Sequence, residues 1–309
     1  MLQIFTHANY DFIGKRRIAY AISIVFTLIG LAHIAYKGGL EPGIDFAGGT
    51  LMQVRFERPV QIEQIRSALD RIKLGTAVIQ RYGDPQEYLI RTQLTGEPLE
   101  QLTRRTRETL AASVGALEVR RVESVGPQVG RDLQLQALYA VLAGMAGILI
   151  YVAVRFDFKG GVAAVIALIH DVLVVLGGIS LGNREMSLPV LAALLTIVGY
   201  SINDTIVVFD RIRENRGKIQ KKGQTIAELF NTAMNQTLSR TVLTSLTVFL
   251  VVVVLYIFGG EVLRDFAYAL LIGLITGTYS SVFVAAPIVV DWENWVQARG
   301  RVKKAAVKA

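Results

Sequence analysis

Cysteine is missing from this chain of 309 residues. Its absence excludes disulfides, iron–sulfur clusters, thiolate zinc sites and a cysteine nucleophile, and leaves the redox compartment open. Histidine is scarce: His7, His33 and His170 lie far apart and show no metal-ligand spacing, so no metal site is expected. No GxxxxGK[ST] run occurs, which removes a phosphate-cradling nucleotide loop. No other grouping resembles an enzyme's site, and nothing asks for a cofactor. Charge is sparse as well, at 19% of residues against 52% apolar, with a mean hydropathy of +0.43. Neither an ordinary soluble globule nor a disordered chain has that balance.

Long apolar runs fill the space instead. A bilayer core takes about 20 apolar residues per helix. Six segments qualify: 18–36, 135–154, 162–181, 188–208, 242–258 and 266–290. They predict an α-helical membrane protein with six transmembrane helices. The first run follows a basic start, as a signal peptide does. It is long, however, and His33-Ile34-Ala35 is a poor cleavage site, so it reads as an uncleaved anchor. Orientation follows the basic residues. Outside 37–134, 17 of 19 Lys and Arg fall on one side if the termini share it. This predicts that residues 1–17, the 209–241 connection and the basic tail 291–309 are cytoplasmic. It also accounts for the isoelectric point near 9.7 with no nucleic-acid partner.

Residues 37–134 are the one large polar stretch and form an extracytoplasmic, periplasmic domain on this reading. Leu51–Phe56, Ala77–Tyr82, Tyr88–Thr92 and Leu117–Val125 read as strands. Gln61–Lys73 and Leu99–Leu110 read as helices; in the first, Ile62, Ile65, Leu69 and Ile72 share one face. The order β-α-β-β-α-β is the split βαβ, ferredoxin-like α+β pattern. In 209–241, Ile226, Leu229, Phe230, Ala233 and Met234 keep helical spacing. They predict an amphipathic helix that either lies in the membrane interface or packs on the bundle as a connector.

Charges within a bilayer cost roughly 2.5–3.5 kcal/mol at a helix centre, so two places stand out. Asp204 lies in the fourth span beside Asn203, and its expected partner is Arg240 at the start of the fifth. The pair reads as a proton-exchanging couple or as a static ion pair, with Asn203 able to satisfy the carboxylate. His170-Asp171 lies in the third span and reads as an extension of a proton relay or as a structural hydrogen-bonding element. Neighbouring side chains on a helix diverge by about 100°, which predicts no local His170–Asp171 pair. Gly273 and Gly277 continue a four-residue ladder of small residues from Ala269 to Ser281, a ridge for close helix packing. Gly126 and Pro127 predict a stiff connection from the domain into the second span.

Several of these segments together resemble a known family: Gly43-Ile44-Asp45-Phe46-Ala47-Gly48-Gly49-Thr50, Ser124 through Gly126-Pro127 to Gly130, Ala167–Val172, Gly199–Asn215 and Ser239-Arg240-Thr241. They are similar to SecF, the protein-export membrane proteins of the bacterial Sec system, in the SecD/SecF family of the RND superfamily. The resemblance covers nearly the whole chain and marks Asp45, Phe46, Gly48, Gly49, Thr50, Gly126 and Pro127 as family-motif positions. It implies a heterodimer with SecD in the inner membrane, working with the SecYEG channel, the motor SecA and YajC on an unfolded preprotein late in translocation. It further implies that Asp204 and Arg240 take part in proton transport driven by the proton motive force. An efflux subunit on the same scaffold and a passive assembly factor of the translocon are the alternative readings. Six helices and one small domain weigh against the first.

Overall fold

The computed structural model describes residues 5, 8–155, 157–218 and 224–306. The rest of the N-terminus, the basic stretch 219–223 and the last tail residues, 307–309, lie outside the described residues. In chain order the elements are α1 (Arg16–Tyr36), α2 (Ile44–Ala47), β1 (Gly49–Phe56), α3 (Ile62–Asp70), β2 (Val78–Arg81), β3 (Glu87–Thr92), α4 (Leu99–Ser113), β4 (Leu117–Val125), α5 (Pro127–Arg155), α6 (Phe158–Leu181), α7 (Leu188–Lys218), α8 (Ile226–Phe258) and α9 (Gly260–Ser280). A π turn (Ser281–Ala285) then leads into α10 (Ala286–Ala306). The chain divides into two compact units. One is 42–138 with 186–188; the other is 1–41, 139–185 and 189–309.

The smaller unit holds the sheet, in the order β2-β3-β1-β4, with every neighbouring pair antiparallel. This is the split βαβ arrangement that the sequence predicts. Alternation puts Met52, Val54 and Phe56 of β1 against Ile65 and Leu69 of α3 and Leu102 and Leu110 of α4 in one core. Helix α3 starts on a reciprocal capping box between Gln61 and Gln64, which satisfies two otherwise orphaned amides. Tyr88 is fully buried; its hydroxyl donates to the Val60 carbonyl at 2.5 Å and accepts from the Val60 amide at 3.0 Å. Gly126 alone separates β4 from α5, so the connection is short as well as stiff.

The larger unit is helical. Among the described residues, six helical stretches are long and apolar enough to cross a membrane: Arg16–Tyr36, Gln128–Val152, Phe158–Leu181, Leu188–Arg216, Ile226–Phe258 and Leu263–Arg299. Glycines set the closest crossings. A Cβ on Gly30 of α1 or on Gly177 of α6 would fall 2.7 Å from the other's Cα. Gly273 and Gly277 of α9 stand against Ile197 and Ser201 of α7, so both glycines serve helix packing.

Two boundaries differ from expectation. The 209–241 stretch is largely helix: α7 runs to Lys218 and α8 begins at Ile226, continuing unbroken into the fifth span. A capping box starts it, with the Thr225 hydroxyl accepting from the Glu228 amide and the Glu228 carboxylate from the Thr225 amide. The predicted amphipathic face therefore forms the first turns of α8. Phe230, Ala233 and Met234 are buried with Phe12, Ile13, Phe209 and Val289, and burying each large side chain contributes about 1.5–3 kcal/mol. These residues pack on the bundle, as the connector reading expects. The tail also differs, because α10 carries the last span to Ala306. Its Asp291 and Glu293 return to Arg16 (2.8 Å) and Arg216 (2.7 Å).

Residues 10–13 lie along α8. The Asn235 side chain accepts from the Tyr10 amide at 2.8 Å, and that of Asn231 accepts from Phe12 and Ile13 at 3.0 Å. Asn231 also donates to Asp11 at 2.8 Å. The Gly14 amide and this Asn231 contact hold the Asp11 carboxyl below the usual carboxylate range.

Candidate functional site

The polar residues of the helical unit converge around α7. Asp204 is 2% exposed, and its Oδ2 accepts from the Ser245 hydroxyl of α8 at 3.4 Å. Ser245 in turn pairs with Thr278 of α9 at 2.8 Å. Asp171 of α6 is fully buried. Its Oδ2 accepts from Ser201 of α7 at 2.6 Å and from Ser280 of α9 at 2.7 Å, while Oδ1 lies 3.0 Å from His170 Nδ1. Two carboxylates thus flank one helix. Each reaches α9 through hydroxyls two residues apart, just ahead of the π turn.

The His170–Asp171 contact corrects the expectation from helix geometry. The backbone directions diverge, but both side chains have enough χ freedom to swing together. With Asp171 ionised, Nδ1 carries the hydrogen of this bond. His170 Nε2 is then buried with no partner, while the ring lies 6.4 Å from that of Tyr279. The Tyr279 hydroxyl is engaged with the Ala19 carbonyl at 2.8 Å and with Ser23 at 3.3 Å. His33, far from this cluster, bonds Ser180 at 2.9 Å and holds α1 to α6.

Arg240 is not where an ion pair requires it. Among the described residues no salt bridge joins it to Asp204. Both Arg240 and Asn203 line a cavity of about 900 Å³, together with Asp210, Arg211, Gln236 and Ser239. Helical phase explains this. Arg240 and Ser245 are five residues apart, so their side chains point about 140° apart, and Ser245 is the one that meets Asp204. Asn203, the residue before Asp204, is exposed and does not bond the carboxylate. Ser201, which the sequence offers with Asn203 as a partner for the carboxylate or for a neighbouring helix, bonds Asp171 of α6 instead of Asp204; sequence reasoning missed Ser245, Thr278 and Ser280. Their signal was only the presence of hydroxyls inside apolar helices, where such groups bond across helix pairs. No cluster of three His, Cys, Asp or Glu able to hold a metal occurs among the described residues.

A second polar arrangement lies in the smaller unit, on residues 42–50. Asp45 Oδ2 accepts from the Leu188 amide at 2.9 Å. Phe46 is buried, and its carbonyl accepts from Gln134 at 2.8 Å. Gly48 and Gly49 have φ of 72° and 120°, and a Cβ on Gly49 would fall 2.6 Å from the Thr92 carbonyl. Both features demand glycine. Thr50 and Ser124 join β1 to β4 by hydroxyls 3.3 Å apart. A Cβ on Gly126 would meet nothing within 4 Å, and Pro127 opens α5.

Two family profiles match the chain. One, described as protein export membrane protein SecD/SecF, C-terminal, spans residues 106–295; the other, the SecD/SecF GG motif, spans 37–60. The chain belongs to the SecD/SecF family. The SecD/SecF C-terminal profile contains Asp171, Asp204, Arg240 and all four hydroxyl residues, and the GG-motif profile contains Asp45 to Thr50. The chain is 46% identical to the protein translocase subunit SecF of Calditerrivibrio nitroreducens over 285 residues, covering 91% of this chain and 93% of that protein. To the protein translocase subunit SecF of Desulfurispirillum indicum it is 47% identical over 286 residues, covering 91% of each. A crystal structure of SecDF from Thermus thermophilus, described as a translocon-associated membrane protein, superposes with a TM-score of 0.85 at 42% identity. That match takes in 95% of this chain but 40% of the solved one. With six apolar helices and these SecD/SecF relatives, the chain is a multi-pass membrane protein.

Proposed function

We propose that this chain is the SecF-type half of a SecDF assembly that helps proteins cross the cytoplasmic membrane, using the proton gradient. Support comes from family membership and from relatives named as SecF translocase subunits. The chain covers 40% of the solved SecDF chain, and in this reading it works in a complex with a SecD-type partner. SecYEG, SecA and YajC are the wider machinery in this reading, and an unfolded preprotein is the cargo. The positive-inside distribution puts both termini in the cytoplasm and the 37–134 domain on the far side.

One observation carries the mechanism: a carboxylate, Asp204, sits at 2% exposure in a membrane helix with one hydroxyl as partner. Ionisable groups held there are costly and serve ion or proton paths. One proton crossing 100 mV releases about 2.3 kcal/mol, enough to shift a helix arrangement by well over tenfold in equilibrium. Asp204 takes up and releases the proton, and Ser245 and Thr278 orient its lone pairs. Arg240 and Asn203 face the polar cavity, so a rotation of α8 exchanges Ser245 for Arg240 beside the carboxylate. Asp171, with His170 on its other oxygen, braces this arrangement by tying α6 to α7 through Ser201 and to α9 through Ser280. Helices α7 and α8 thus change their contacts as the proton moves, and that movement drives the export cycle.

The test uses the chain co-purified with its SecD-type partner in proteoliposomes containing the channel and motor. Asp204→Asn should abolish both proton flux and gradient-stimulated export while the pair still assembles. Arg240→Ala should likewise remove gradient-stimulated export while the pair still assembles. Undiminished gradient-stimulated export in Asp204→Asn overturns the mechanism.

A further inference from the structure

The Leu188 end of α7 is fastened to the small unit in a way the covalent chain does not require. Leu188 is the first residue of α7, so its amide is one of the four that no helix carbonyl can satisfy. Asp45 Oδ2 takes it at 2.9 Å, and a carboxylate there also complements the helix dipole. Two residues back, the Gly43 amide donates to the Met186 carbonyl at 2.6 Å, and Pro42 and Met186 form an isolated parallel bridge. The approach is close enough that a Cβ on Gly43 would lie 2.9 Å from that carbonyl. From Asp45 the path to the sheet is one turn of helix and two glycines. It ends in β1, the strand flanked by both β3 and β4. Gln134 and Gly130 of α5 brace the same turn at the Phe46 carbonyl.

We propose that Asp45 is a positioning residue that ties the start of α7, the helix bearing Asp204, to the central strand of the soluble domain. Displacement of α7 is thereby delivered to β1 through residues 42–49. The inference rests on the proton role of Asp204. Covalent routes also run along α1 and through Gly126 into α5. Gly38 and Gly39 follow α1 at φ of 79° and 137°, and a Cβ on either would meet nothing within 4 Å, so that side of the α1 link is unpacked. The glycines of the 42–49 segment instead abut backbone: Gly43 against Met186, and Gly49 against Thr92. The clasp thus gives the GG-motif segment a mechanical task.

The chain has no native cysteine, so spin labels can be placed at Arg107→Cys and Tyr36→Cys, both exposed positions. The sample is the full chain with its SecD-type partner in vesicles, with and without an imposed proton gradient. The parental pair should show a gradient-dependent change in label distance. Asp45→Ala should lose most of that change while still taking up protons. Asp45→Asn should keep it, because an amide oxygen caps a helix nearly as well. If Asp45→Ala assembles poorly, Gly43→Ala disturbs the same clasp through Met186 and should reduce the change likewise. Hydrogen exchange across 186–189 should accelerate in either variant. A full distance change in both variants overturns the proposal, as does a parental pair with no change. Asp204→Asn separates the two ideas. If it leaves the distance change intact while Asp45→Ala removes it, the Asp204 reading falls and the clasp is supported.

Discussion

Asp171 and Asp204 lie on neighbouring helices, both buried among hydroxyls, yet they are held in opposite ways. Asp171 meets Ser201, Ser280 and His170 at 2.6, 2.7 and 3.0 Å. Asp204 has a single hydroxyl at 3.4 Å. A carboxylate offers about four lone-pair positions. Asp171 has most of its positions filled by donors from three helices, so it knits α6, α7 and α9 together. Asp204 keeps most of its own free beside a rotatable hydroxyl, so it can exchange a proton without dismantling a network. Burial is similar at the two sites; the number of donors distinguishes a fastening from a working group.

The comparison breaks most severely if the roles are reversed. Asp204→Asn should remove gradient-stimulated export with little change in the melting temperature of the assembled pair. Asp171→Asn should do the converse. It leaves polar partners mismatched in the core, at about 1–3 kcal/mol for each group left unsatisfied, seen as a lower melting temperature and yield. Ser280→Ala deletes one donor and should cost about 1 kcal/mol, again read by melting, with export kept. Ser245→Ala should leave melting unchanged and shift the pH profile of export, because it touches the less satisfied carboxylate. Asp11, exposed and outside the spans, supplies the mildest contrast. Its carboxyl is held low by the Gly14 amide and Asn231. Its grip on α8 is therefore complete above the ordinary carboxylate range and is lost as pH falls through the depressed value. Amide exchange at residues 10–13 should quicken only on strong acidification.

The spans and the soluble domain were legible because hydrophobic runs and period-2 alternation are local signals. Each β-strand of the domain needs only its own alternation to declare a buried face. The amphipathic helix at the start of α8 was legible in its apolar spacing; its unbroken run into the fifth span was less so, because its polar face, from Glu228 to Gln236, interrupts the apolar run. The Thr225 and Glu228 spacing that starts the helix was there to be seen. Asp204 announced itself as a charge in an apolar run, but its partner did not. Arg240 and Ser245 both lie near the start of the fifth span, and only the phase of α8 against α7 decides between them. Ser280 was silent, and the partner of Ser201 was open, for the same reason: a hydroxyl's partner depends on which helices adjoin. Asp45 stood out only as a family-motif position, because its contact, Leu188, lies 143 positions away.

The π turn at Ser281–Ala285 inserts a surplus residue into an otherwise unbroken rod. Every position beyond it is set back by about 100° relative to an uninterrupted helix. That offset sets where Asp291 and Glu293 emerge to grip Arg16 and Arg216 while Ser280 still faces Asp171. Removing one residue there would leave the apolar profile of the last span almost untouched. It would nonetheless force a choice between the upstream and downstream anchorages, so the rod would have to let go of one end to keep the other.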